Sequence, residues 1–158
     1  MGRGRVTTKE KTLSTVTRVF RFFQQDLENL PADVFDKSLG GKARTVADIA
    51  YEVRLTNERL CHDLQGQPSS EQPNAWAIAP EEARTKEATI QSFQTSCEQV
   101  IQLIERMSPE ELEEVVPGVL GEASRADHCR SMTVHLWYHS GQLNFIQALL
   151  GDSDMHWS

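Results

Sequence analysis

The sequence predicts an all-α protein built as a four-helix bundle. Apolar residues recur at 3-4 spacing over four long segments, each segment opens on a capping residue, and no segment shows the alternation of a convincing strand. Four amphipathic helices of roughly six turns bury their stripes together when they pack about 20° from parallel. With 158 residues the chain suits one compact domain, residues 1–158, with a sizeable core.

Helix one is expected over Thr8–Leu30. Thr7 and Glu10 have the spacing of a capping box, Leu13, Val16, Phe20, Phe23, Leu27 and Leu30 form the stripe, and Pro31 stops it. Helix two begins at Thr45, three residues before Asp48, and carries Val46, Ile49, Val53, Thr56, Leu60 and Leu64 up to Gly66. Its stripe is narrow, and Thr56 marks a place where a polar group is tolerated. Helix three opens at Pro80-Glu81-Glu82, because proline suits a first turn and acids suit the positive end of the dipole. It continues through Ile90, Phe93, Cys97, Val100, Ile104 and Met107. A short helical turn follows at Ser108–Leu112, then an apolar loop, Val115–Gly121. Helix four runs from Ser124, with Asp127 three residues on, to Gly151 at the left-handed end position. The connections, among them Gln65–Ala79 with Trp76 as a lid, exceed hairpin length and allow a crossover. Periodicity alone leaves the winding open.

Composition excludes several roles. The net charge is −7 and the basic residues are scattered, so no stripe exists for a phosphate backbone and no nucleic acid is expected. Met1–Arg5 is basic but lacks the apolar core of a signal peptide, and nothing approaches the roughly 20 apolar residues of a membrane span. A soluble cytoplasmic protein with reduced Cys61, Cys97 and Cys129 is expected.

The chemistry concentrates on helix four. His135 and His139 stand four residues apart, one turn, so their imidazoles project side by side; His139 occupies a core slot in the stripe Met132, Leu136, His139, Leu143, Ile146, Leu150. Two such rings can chelate a metal. Gln142 lies about 60° from His139 on the side of His135, placed to orient a ligand or a water or simply to be satisfied in the bundle; Tyr138 on the same flank can donate to a substrate oxygen. Trp137 faces away, which suits packing or an interface. His128 lies about 16 Å along the helix from His139 and cannot share its metal. With Cys129, Cys61 and His62 it is assigned ordinary helix-surface or terminus roles rather than a second metal cluster.

The run His135-x-x-x-His139-Ser-Gly-Gln142-Leu143, closed by Gly151, resembles the last helix of the DinB-like (DinB/YfiT) superfamily, and Thr45-Val46-Ala47-Asp48-Ile49-Ala50 resembles the opening of its second helix. The resemblance implies an up-down-down-up bundle, usually dimeric, with a divalent metal held by one histidine of helix two and two of the last helix. His135 and His139 match the pair; the helix-two position falls on Glu52, either a third ligand or an exposed glutamate at the flank of the stripe. A carboxylate with two imidazoles is a catalytic zinc set that also fits nickel, manganese or iron; zinc and nickel are the metals expected. The relatives imply an enzyme that activates a low-molecular-weight thiol or a water, a thiol transferase or a hydrolase acting on a small molecule. The alternative is a non-catalytic, stress-associated binding protein with a residual or empty site.

Overall fold

A computed structural model describes residues 6–67 and 76–158. In chain order the α-helices are α1 Thr8–Asn29, α2 Val46–Leu64, α3 Lys86–Arg106, the short α4 Pro109–Glu113, and α5 Arg125–Leu149; single 3₁₀ turns lie at Ala32–Val34 and Glu81–Ala83. A two-stranded antiparallel hairpin, β1 Val115–Gly118 and β2 Gly121–Ser124, precedes α5. The residues 68–75 of the expected crossover, and the basic Met1–Arg5, lie outside the described residues.

Each long helix starts where its cap allows. Thr7 accepts from the Glu10 N–H while Glu10 reaches back to the Thr7 N–H; Thr45 caps α2, Thr85 caps α3 and Ser124 caps α5. Helix three therefore begins at Lys86, later than the Pro80 expected from sequence. Pro80 opens only a 3₁₀ turn, and the Thr85 side chain supplies the first true helical cap. At the other end of α5, Gly151 adopts φ +91°, as expected of a left-handed end position.

The stripes meet in one core. Val16, Phe20, Phe23, Leu27, Val53, Leu60, Phe93, Val100, Ile104, Leu136 and Leu143 are all buried, with Phe93 edge-on to Phe20 and tilted against Phe23. The polar slot of α2 is Asn57 rather than Thr56: Asn57 is fully buried and donates to Ser96 Oγ at 3.0 Å, whereas Thr56 is half-buried and returns its hydroxyl to the Glu52 carbonyl.

In the packing, α1 lies against α3 and α5, and α2 against the same two. Lys86 at the start of α3 donates to the Glu28 and Leu30 carbonyls at the end of α1, and Lys9 at the start of α1 donates to the Glu105 carbonyl at the end of α3. Arg84 ties the start of α3 to Thr45 and Asp48 at the start of α2, and Arg125 at the start of α5 donates to the Leu64 carbonyl at the end of α2.

The hairpin corrects the strand-free reading of the sequence. Each strand has four residues and Pro117 interrupts one, so neither period nor length announces it. Its backbone pairs Val116 with Ala123 and packs against α2 and the start of α5. This also corrects the surface role given to His128 and Cys129, both 1% exposed: the hairpin covers His128, whose Nε2–H donates to the Val116 carbonyl at 3.1 Å, and Cys129 is part of the helical core. His62 is exposed and Cys61 half-buried, and among the described residues no second cluster of metal-ligand type occurs.

Candidate metal centre

Glu52 comes from the second turn of α2, His135 and His139 from the middle of α5, and the two helices lie side by side. Their donor atoms converge. His139 Nε2 is 3.1 Å from His135 Nε2 and 3.2 Å from Glu52 Oε1, and His135 Nε2 is 3.5 Å from the same oxygen. The sequence-predicted trio is thus one cluster, with Glu52 turned toward the rings rather than to solvent.

The tautomer of His139 explains why this cluster favours a cation. Gln142 Oε1 lies 2.7 Å from His139 Nδ1 while the Gln142 amide nitrogen donates to Tyr138 OH at 3.4 Å. An amide oxygen only accepts, so Nδ1 carries the proton and Nε2 presents a lone pair. That lone pair faces a carboxylate oxygen, and two acceptors at 3.2 Å need a positive charge or a shared proton between them. Three donors bound at zinc distances in a tetrahedral arrangement stand about 3.3 Å apart, close to the separations seen here. The donor set fits a divalent ion. Gln142 then orients His139 as an outer partner, and Tyr138, largely exposed, closes the chain from Gln142 to solvent.

Glu52 has a second, opposite partner that the sequence did not announce. Its Oε2 takes an ion pair from Arg44 at 2.6 Å and the Ala77 N–H at 3.4 Å, while Arg44 also donates to the Asp48 carbonyl and lies under the Trp76 ring at 5.5 Å. Arg44 precedes the cap of α2, eight residues from Glu52 in the chain, a separation that no helical spacing rule flags. Burial pushes the Glu52 carboxyl up, but Arg44, with His139 and the Ala77 amide, outweighs it and holds the group below the usual carboxylate range. Burial pushes both imidazoles below the usual histidine value, His135 further through its neighbour His139, so the rings are poised as neutral ligands.

A cavity of about 570 Å³ opens beside Glu52 and His135 and runs between α2 and α5 under Trp76 and Val119. Trp76 lines the cavity wall beside Arg44 and is largely exposed. Trp137 packs on Phe22 and on Trp157 of the C-terminal segment and so serves packing first. Cys97 and Cys129 are buried and Cys61 half-buried; burial pushes Cys61 up to about 11 and Cys129 up to about 12, which disfavours their thiolate forms.

The sequence model of the DinB superfamily matches residues 7–143. Among solved structures, a DinB-like protein from Bacillus subtilis superposes with a TM-score of 0.67 at 11% identity, covering 92% of this chain and 95% of that one. A conserved protein from Enterococcus faecalis gives 0.69 at 14% identity, covering 94% and 100%. At these identities the likeness is one of fold. No curated protein matches the chain. Among the described residues no helix is long and apolar enough to cross a membrane.

Proposed function

The chain belongs to the DinB superfamily, and from that premise we propose that it is a divalent-metal-dependent enzyme acting on a small molecule, with a low-molecular-weight thiol or a water as the nucleophile. The observation that carries this reading is the convergence of Glu52 Oε1, His135 Nε2 and His139 Nε2 at the end of a cavity. When bound there, a divalent ion, zinc or nickel by ligand type, supplies Lewis acidity and lowers the pKa of a thiol or water.

The chain's own residues set what can approach. Glu52 brings a negative charge that by itself repels a thiolate, but Arg44 cancels it at 2.6 Å and leaves the three-ligand set effectively neutral. This removes the repulsion that a bound thiolate would otherwise meet at Glu52 and so supports the transferase beside the hydrolase. Gln142 fixes the His139 ring, and Trp76 over Arg44 restricts water at the mouth. The winding in this reading is up-down-down-up, supported by the bonds that join α1 to α3 and α2 to α5 end to start, and α2 to α3 start to start. A homodimer in the cytoplasm completes it, the latter supported by three unpaired cysteines.

The test is conjugation of a panel of cellular thiols to 1-chloro-2,4-dinitrobenzene by zinc- and nickel-loaded protein: a carbon–sulfur bond forms, chloride leaves, and the thiol proton passes to solvent. Acceleration that requires the metal and vanishes in His135→Ala supports the transferase. Hydrolysis of p-nitrophenyl acetate without conjugation supports the hydrolase. Neither activity in metal-loaded protein leaves a non-catalytic binding protein.

A further inference from the structure

Residues Trp76 to Ala79 form a strap along the start of α2, and side chains of α2 hold its backbone. The Ala79 N–H donates to Asp48 Oδ1 at 2.8 Å and the Ala77 N–H to Glu52 Oε2 at 3.4 Å, while Ile78 between them is 75% exposed. That is the pattern of an extended chain. Alternate N–H groups of such a chain point the same way about 6.7 Å apart, and carboxylates four residues apart on a helix stand one above the other about 6 Å apart. Two amides therefore meet two acids as two rungs.

An arginine completes each rung. Arg84 Nη1 donates to Asp48 Oδ1 at 2.9 Å and to the Ala79 carbonyl at 2.8 Å; Arg44 Nη2 pairs with Glu52 Oε2 at 2.6 Å and reaches the Ala77 carbonyl at 3.4 Å. All four charged side chains are at least three-quarters buried, so these bonds are little screened by solvent. The second rung ends on a metal ligand. Glu52 turns Oε1 to His135 and His139 and Oε2 to the strap, so one rotamer of this side chain serves both. An ion that fixes Oε1 fixes the acceptor of Ala77 with it, and a strap held on Oε2 keeps Glu52 ready for the ion. Such sharing couples the two events by the same factor in both directions. Trp76 and Ala77 also form cavity wall beside Glu52 and His135, so the coupling reaches the surface that a substrate meets.

We propose that Asp48 and Arg84 are positioning residues of the metal centre: they pin Ala79, and through the Trp76–Ala79 strap they hold Glu52 in place as a ligand, so that metal and strap order each other and the cavity wall with them. Neither residue belongs to the Glu52–His135–His139 donor set. The inference rests on the metal reading of that set.

Zinc alone is the probe. Its affinity is read by calorimetry, and amide hydrogen exchange by NMR in the metal-free and zinc-loaded states, for wild type and Arg84→Met. In the wild type zinc should slow exchange at Ala77 and Ala79 at least about fivefold more than at the hairpin amides, the lower end of ordinary coupling between sites. Arg84→Met leaves every ligand in place, yet it should speed exchange at both alanines and weaken zinc binding about fivefold or more. Zinc that binds the wild type without slowing the two amides, or a folded Arg84→Met with wild-type zinc affinity, overturns the coupling and leaves the metal centre standing. A wild type that takes up no zinc overturns the metal reading and the coupling with it. Where Arg84→Met fails to fold, the wild-type exchange rates decide alone.

Discussion

Glu52 is held from both sides, by two imidazoles on one oxygen and by Arg44 on the other, and this sharing decides what substitutions there will do. Arg44→Met should weaken zinc binding by about 10- to 100-fold, the usual loss when an outer partner of a ligand is removed; unchanged affinity by calorimetry would make Arg44 a purely structural ion. Glu52→His, which restores the set the family resemblance implies, should nonetheless destabilise the fold by about 2–3 kcal/mol, because it strands a largely buried guanidinium. Adding Arg44→Met should recover most of that loss in urea denaturation, and a double variant no more stable than Glu52→His would refute the coupling. Asp26 offers a pH test. It is buried and accepts from Ser140, Asn144 and Trp157, yet burial wins and raises its pKa above the ordinary 3.8. Its contribution to stability is therefore intact below about 3.8 and is lost as pH rises through the folded value. The stability of wild type minus Asp26→Asn should fall with pH over that window; a flat difference contradicts the assignment. Of these residues, His135, His139 and Gln142 were legible from helical spacing, and Glu52 only through the family resemblance, since spacing alone puts it at the flank of the α2 stripe. Arg44 was not, since its partner lies across a cap. Asn57 was nearly so: Val53, Asn57, Leu60 and Leu64 keep 4-3-4 spacing as well as any set containing Thr56.

At the scale of elements, helices with a cap and a stripe were legible to within two residues because both signals are local, except at the start of α3, where Pro80 opens only a 3₁₀ turn and Thr85 is the cap. The hairpin was not, since its strands are short, one holds a proline, and its worth lies in what it covers: Asp63 and His128. Gly118→Ala tests that role. The added methyl meets two buried side chains below van der Waals distance, and overpacking of this kind costs about 1–3 kcal/mol. Gly121→Ala is the control for backbone strain, since Gly121 takes φ +78° with open space around it. Should Gly118→Ala be as stable as wild type in denaturant, the hairpin is not clamped on the Asp63–His128 pair.

At the scale of the molecule, the chain holds no Asp, Glu, Lys or Arg from Ser131 to Gly151, so most of the outer face of α5 is uncharged. Val134, Tyr138, Phe145 and Leu149 stand exposed on one stripe with Gly141 at its centre, large residues on either side of a small one, the arrangement a two-fold crossing of helices needs. We propose that the homodimer pairs through this stripe. Trp137, packed under Trp157, is less available to it than Phe145. Phe145→Glu should turn a dimer into a monomer by light scattering, and a wild-type mass of 17.8 kDa would remove the interface. The metal acts on the whole molecule too, because an ion that binds only the folded chain raises its stability by mass action. The most direct test of the metal centre is therefore zinc titration of metal-free protein, followed by calorimetry and thermal unfolding, in wild type and His139→Ala. One ion per chain with a raised Tm in the wild type, and a folded variant with neither, is the result expected. Zinc that fails to bind the wild type, or binds His139→Ala equally well, contradicts it.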